Sequence, residues 1–273
     1  FTLTNGTRVV CERIPYVRSV SVGIWVRTGS RDESPENNGI SHFVEHMLFK
    51  GTGNRTAAQI AECIDNIGGQ INAFTGKECT CFYTRTLDEH IEIALDVLSD
   101  MFFNSMFDKK DIALEKKVIL EEISMYEDSP EELVHDLLSE TVWMGSSIGQ
   151  PILGTKNSLK KLNRRMILDY VNDRYVQSNT VIAIAGNYDE GRLKTLLEEY
   201  FGSREPRDGK DQESRQAEFR PAIRVREKDT EQVHICIGFE GVKMGDDDIY
   251  ALLAINNILG GGMSSRLYQK IRE

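Results

Sequence analysis

The hydrophobic pattern along the chain switches between a period of two and a period near 3.6, and the switches mark its elements. In "FTLTNGTRVVCE", Asn5-Gly6 separates two alternating arms, which predicts a hairpin over Phe1–Glu12. "SVSVGIWVRTGS" (Ser19–Ser30) is β-branched and alternating, a strand. A polar loop, "RDESPENNG", leads into a segment from His42 to Gly51 with helical periodicity, stopped by Gly51-x-Gly53. "TAAQIAECIDNIGG" predicts an amphipathic helix ending at Gly68-Gly69, and "QINAFTGKECTCFYTRTL" a hairpin turning at Gly76. Helices follow over His90–Met101, Lys109–Tyr126, Glu131–Trp143 and Asn157–Asn172. The second of these carries Ile112, Ile119, Ile123 and Tyr126 along one stripe. A buried strand, "NTVIAIAG", and a helix, "DEGRLKTLLEEYFG", complete the regular part.

Residues 202–221 have almost no apolar content and predict an exposed linker. Beyond them "TEQVHICIGFEG" alternates like a strand, followed by an acidic "GDDD" loop and an apolar helix, "IYALLAINNILGGG". Strand, charged loop and helix in that order echo Ser19–Gly51 without its histidines. The expected organisation is therefore a first domain over 1–201, a linker over 202–221, and the start of a similar second domain over 222–273. That second domain is expected to be cut short at Glu273. The opening Phe1, in place of Met, reads as a trimmed chain.

Composition narrows the classes. The 273 residues are 40% hydrophobic and 28% charged, enough for one large domain or one domain and part of another. A net charge of −10 argues against nucleic acid as a partner. No apolar run approaches the ~18 residues of a membrane span, and a signal peptide is not expected. Cys79 and Cys81 alternate on one strand and read as small core hydrophobes in a reducing compartment.

The segment "HFVEHMLFKG" carries the chemistry. On a helix, His42, Glu45 and His46 share one face. Two imidazoles one turn apart can both reach a zinc ion, and the glutamate between them can take a proton from water beside it. The order HxxEH is that of the inverted zinc-peptidase motif. A surrounding of Phe43, Val44, Met47, Leu48 and Phe49 makes three such groups hard to explain as surface charges. A catalytic zinc usually has three protein ligands. In "ALEKKVILEEI", Glu115 and Glu122 are seven apart and line one helix face, while Glu121 points about 100° away. Spacing offers Glu122 as the third ligand without excluding an ordinary solvated charge run.

Three stretches, "GISHFVEHMLFKGT", "GGQINAFTGKECTCFY" and "EKKVILEEISMYEDSPEELVHD", closely resemble the insulinase/pitrilysin family of zinc peptidases, above all mitochondrial processing peptidase β-subunits and bacterial processing proteases. The resemblance covers essentially the whole chain. It implies an α+β fold, a sheet with packed helices, in two similar domains of which the second is incomplete here. It implies one zinc per catalytic domain, bound by His42, His46 and Glu122, with Glu45 as catalytic base and Glu115 supporting the site from behind. Substrate in that family adds a strand to a sheet edge, which points to Asn72, Ala73 and Phe74. An arginine from the second domain matches Arg272, and the Gly260–Gly262 run resembles the family's glycine-rich loop. The expected activity is that of a processing-type endopeptidase acting on peptides or unfolded protein segments. The alternative is a catalytically silent partner subunit of the same family. Pairing as a homodimer or with a second family domain is expected, in bacterial cytoplasm or alternatively the mitochondrial matrix. Turnover by this chain alone is expected to be weak or absent.

Overall fold

The computed structural model describes residues 1–207, 209 and 217–273. The linker expected over 202–221 lies partly outside the described residues. The chain divides into two units, Phe1–His234 and Ile235–Glu273.

The first unit is a five-stranded sheet packed on helices. Its strands are β1 (Arg8–Arg13), β2 (Ser19–Val26), β3 (Gln70–Thr75), β4 (Thr80–Leu87) and β5 (Thr180–Gly186), in the order β1-β5-β2-β4-β3. β5 inserts between β1 and β2, parallel to the first and antiparallel to the second. Alternation decides which face is buried. Val20, Val22, Ile24 and Val26 of β2, Phe82 of β4 and Ile182 and Ile184 of β5 point into the core, joined by Phe43, Met47, Leu95 and Met101 from the helices. Trp25, Phe74 and Tyr83 occupy the other face, Trp25 and Phe74 edge-to-face with centroids 5.5 Å apart. The Cys81 thiol, buried beside them, is pushed up to about 12 by desolvation and is inert at neutral pH.

The helices are α1 (Ile40–Leu48), α2 (Ala57–Asp65), α3 (Ile91–Asn104), α4 (Lys109–Asp128), α5 (Pro130–Val142), α6 (Lys156–Lys161), α7 (Arg164–Arg174) and α8 (Glu190–Leu197). α1 packs on β3, β4, α4 and α7, and α3 lies against β2 and β4. Asp100, 4% exposed on α3, accepts hydrogen bonds from Thr52, Asn54, Arg55 and Asn104. That network fastens the loop leaving α1 to the rest of the unit. No helix among the described residues is long and apolar enough to cross a membrane.

Four expectations need correction. The hairpin over Phe1–Glu12 turns at Asn5–Gly6, and its arms bond at Phe1 with Val9 and at Leu3 with Thr7, but the first arm is too short for a strand and holds one bridge, Thr2 with Arg8. The longer ladder of β1 is with β5, and the Asn5 amide bonds the Phe201 carbonyl. The strand from Ser19 ends at Val26, where Thr28 N–H turns back to the Val26 carbonyl. The helix expected over Asn157–Asn172 is two helices, α6 and α7. Asn163 breaks it by accepting from the Met166 N–H as the cap of α7, the competition with helical backbone that asparagine favours. Last, no strand forms over 230–241. Val233, Ile235, Ile237 and Phe239 are exposed, and a strand exists only through its pairing partner, which no described residue provides.

The second unit holds the expected apolar helix, α9 (Ile249–Gly260), after the Gly245–Asp248 turn, and a final helical turn over Tyr268–Arg272.

Candidate metal centre

α1 starts from a backbone that only glycine fits easily. Gly39 is left-handed (φ +92), and a Cβ there would lie 2.7 Å from the Leu153 carbonyl oxygen. With no side-chain cap of its own, α1 borrows one from upstream. The Glu33 carboxylate, 4% exposed, accepts the N–H of Gly39 at 2.7 Å and of Ser41 at 2.8 Å, and the Asn38 amide at 2.9 Å. Burial pushes its pKa up, and the donors pull it back. The Ser41 hydroxyl meets the buried Tyr170 hydroxyl at 2.7 Å, which also reaches Thr28. The first turn of α1, which carries His42, is thereby fixed from two sides.

His42 and His46 lie edge-to-face along α1 with ring centroids 4.6 Å apart. α4 crosses behind them and contributes both expected glutamates. Glu122 Oε2 lies 3.7 Å from His46 Nε2 and 3.9 Å from His42 Nε2. One donor atom from each of the three residues falls within 4.8 Å of the others. Glu115, 1% exposed, is 3.0 Å from His46 Nδ1 through Oε2 and 2.5 Å from Lys50 Nζ through Oε1. The bond to Nδ1 leaves Nε2 of His46 facing Glu122. Glu121 is exposed.

Whether these residues suit zinc can be tested on the atoms themselves. Glu122 Oε2 is buried and has no hydrogen-bond partner, a costly arrangement for a carboxylate oxygen. It faces two imidazole nitrogens at distances too long for hydrogen bonds. Those distances are near the roughly 3.4 Å between ligands that tetrahedral bonds of about 2.1 Å require. His42 is held neutral, its pKa lowered to about 4 by burial and then by His46, so it offers a lone pair at any moderate pH. Two imidazoles and a carboxylate with an orphaned oxygen fit zinc.

Glu45 stands on the same face of α1, half-buried. Its Oε2 accepts the Thr75 hydroxyl at 2.5 Å. Burial raises its pKa, opposed by the Thr75 bond and His46. Asn72, Ala73 and Phe74 lie on β3, which has a neighbour on one side only and so ends the sheet. Asn72 and Phe74 are exposed, Ala73 is half-buried, and the Ala73 N–H donates to Asn72 Oδ1 at 2.8 Å. Arg272 belongs to the second unit, its guanidinium over the Tyr268 ring. Three residues escaped the sequence reading: Glu33, Lys50 and Thr75. A helix starting at glycine needs an acceptor from elsewhere, a signal that could have drawn attention to Glu33. Strand parity with Ala73 could have done the same for Thr75.

An HxxEH helix completed by a glutamate from a second helix is the donor set of zinc peptidases of the inverted-motif class. Sequence comparison agrees. The insulinase model (peptidase family M16) matches residues 8–156, and the peptidase M16 inactive domain matches 161–273. The chain belongs to the insulinase family, peptidase family M16. It is 50% identical over all 273 residues to the uncharacterized zinc protease YmxG of Bacillus subtilis, spanning 66% of that protein. It is 41% identical, again over its whole length, to an uncharacterized zinc protease of Mycobacterium leprae, spanning 62% of it. The chain thus covers less than two thirds of either relative. A solved protease from Helicobacter pylori superposes with a TM-score of 0.83 at 20% identity, over 99% of this chain and 67% of that one, a likeness of fold.

Proposed function

We propose that the protein is a zinc-dependent endopeptidase of the processing type, cleaving peptides or unfolded protein segments. The observation that carries this is the orphaned, buried Glu122 Oε2 facing His42 and His46, with Glu45 on the same helix face. His42, His46 and Glu122 would hold one zinc. When bound, zinc supplies Lewis acidity, lowering the pKa of a water to around 7 and polarising the scissile carbonyl. Glu45 takes the proton as the water oxygen bonds to the carbonyl carbon, and returns it to the amine as the C–N bond breaks. Burial raises its pKa, the direction that makes a carboxylate a stronger base. Glu115 fixes the His46 ring by holding Nδ1.

The free edge of β3 would seat the substrate as an added strand through the backbone of Asn72–Phe74. Arg272 would support the substrate carbonyl in the whole protein, closed by pairing with a second copy or a second family domain. A bacterial setting is supported by the relatives, and the bacterial cytoplasm is the compartment this reading adopts, with the mitochondrial matrix as the alternative.

The test is Glu45→Gln in the zinc-loaded whole protein, with both family domains present, against an unstructured peptide library. Zinc should stay and hydrolysis should fall by on the order of 100-fold or more. Cleavage at the parental rate would remove Glu45 from its role. A whole parent protein with zinc but no hydrolysis of any peptide would favour the silent partner subunit.

A further inference from the structure

We infer that Thr75 is a positioning residue that sets the aim of Glu45 and ties it to the strand where a peptide would sit. This rests on the reading of Glu45 as the base. Thr75 ends β3, paired with Thr80 across the ladder. Parity along the strand sends Ile71, Ala73 and Thr75 to one face and Asn72 and Phe74 to the other. Ile71 and Ala73 pack against the core on the α1 side. Thr75 follows them, and its hydroxyl reaches Glu45 Oε2 at 2.5 Å.

Both ends of that bond are anchored to one short segment. The turn after Thr75 closes with Gly76 N–H on the Cys79 carbonyl at 2.8 Å. Its outer carbonyls, Gly76 and Lys77, accept the N–H groups of Ser30 and Arg31 at 3.3 and 2.8 Å. The approach is so close that a Cβ on Gly29 would stand 2.4 Å from the Gly76 oxygen. Two residues beyond Arg31, Glu33 holds the first N–H groups of α1. The hydroxyl and the carboxylate are therefore positioned from the same 29–33 segment. They keep their mutual geometry as long as that segment does.

The consequence is chemical. A glutamate on a helix surface can rotate about its last torsion, and a base that must accept a proton along one direction loses rate when it does. With one lone pair of Oε2 taken by the Thr75 hydroxyl, the plane of the carboxylate is set, and with it the direction in which its remaining lone pairs meet the water and the leaving amine. Because Thr75 belongs to the edge strand, a peptide added to β3 registers its scissile bond against the same backbone that aims the base.

Two variants separate this role from simple packing. Thr75→Val keeps shape and strand propensity but removes the hydroxyl, and Thr75→Ser keeps the hydroxyl. In the zinc-loaded whole protein, Thr75→Val should lower kcat by about 10- to 100-fold, the usual loss when an outer hydrogen-bond partner goes, with KM within about twofold and zinc content unchanged. Thr75→Ser should recover most of the rate. Crystal structures of both loaded variants give a readout independent of activity. The Glu45 carboxylate should be turned or split in Thr75→Val and in its parental place in Thr75→Ser. An unmoved carboxylate in Thr75→Val, or a serine variant no better than the valine, overturns the inference. If Glu45→Gln cleaves like the parent, the base assignment fails instead, and the position of Glu45 in the Thr75→Val crystal still decides whether Thr75 orients it.

Discussion

Removing the Glu33 carboxylate probes the frame on which the whole centre depends. Glu33→Ala leaves the N–H groups of Gly39 and Ser41 without their acceptor at the buried start of α1. The Asn38 amide suffers less, because it also donates to the Pro151 carbonyl at 3.0 Å. Two orphaned buried donors cost about 1–3 kcal/mol each. The favourable field of a carboxylate at a helix N-terminus, about 0.3–1 kcal/mol, is lost as well. Against this, relieving the desolvation of a buried charge returns part of the loss. The net expectation is a destabilisation of about 2–4 kcal/mol. Denaturant unfolding of the apo-protein at pH 7 measures it, with Glu33→Gln, which keeps one acceptor oxygen and the shape, losing about half as much. Because His42 sits in the turn that Glu33 holds, zinc affinity should fall together with stability. A loss below about 1 kcal/mol, or an intact zinc affinity in a destabilised variant, would show that α1 is positioned by its apolar packing alone.

The remaining predictions concern other parts of the same frame. Glu115→Gln should weaken zinc binding by about 10–100-fold in a competition titration, since it removes the charged acceptor shared by His46 and Lys50; unchanged affinity would mean the His46 ring is held without it. Gly154→Ala should cost about 2 kcal/mol or more in thermal unfolding, because φ is +77 and the new Cβ would stand 2.4 Å from the Asn38 oxygen. His42 has a folded-state pKa depressed below its unfolded value, so the stability it contributes is complete above pH 6.5 and is lost as pH falls toward about 4. Apo-protein unfolding midpoints should decline across that window, and His42→Gln should flatten the decline; an equal decline in both would move the acid sensitivity elsewhere.

The placement of the candidate site residues was legible in the sequence because it is written at helical spacing. His42, Glu45 and His46 recur at one turn, Glu115 and Glu122 at two, and their helices form where the periodicity puts them. The β3–β4 hairpin was legible for the same reason, as period two around a turn at Gly76. What the pattern could not carry is pairing over distance. β5, more than 150 residues after β2, inserts between β1 and β2, and nothing local in Arg8–Arg13 distinguishes a hairpin arm from a strand awaiting that partner. The 230–241 segment has a strand's alternation and no ladder. Asn163 lay inside a continuous helical period, and its side chain decided against the period. Glu33 and Thr75 were passed over because each acts on α1 from outside it, through bonds that exist only once the chain has folded.

The central claim is that His42, His46 and Glu122 together hold a zinc ion. Elemental analysis of the purified protein beside His46→Ala and Glu122→Gln tests it most directly. The account predicts about one zinc per chain in the parent and little in either variant. A parent that takes up no zinc at neutral pH, or variants that keep it, would contradict the assignment of these three residues.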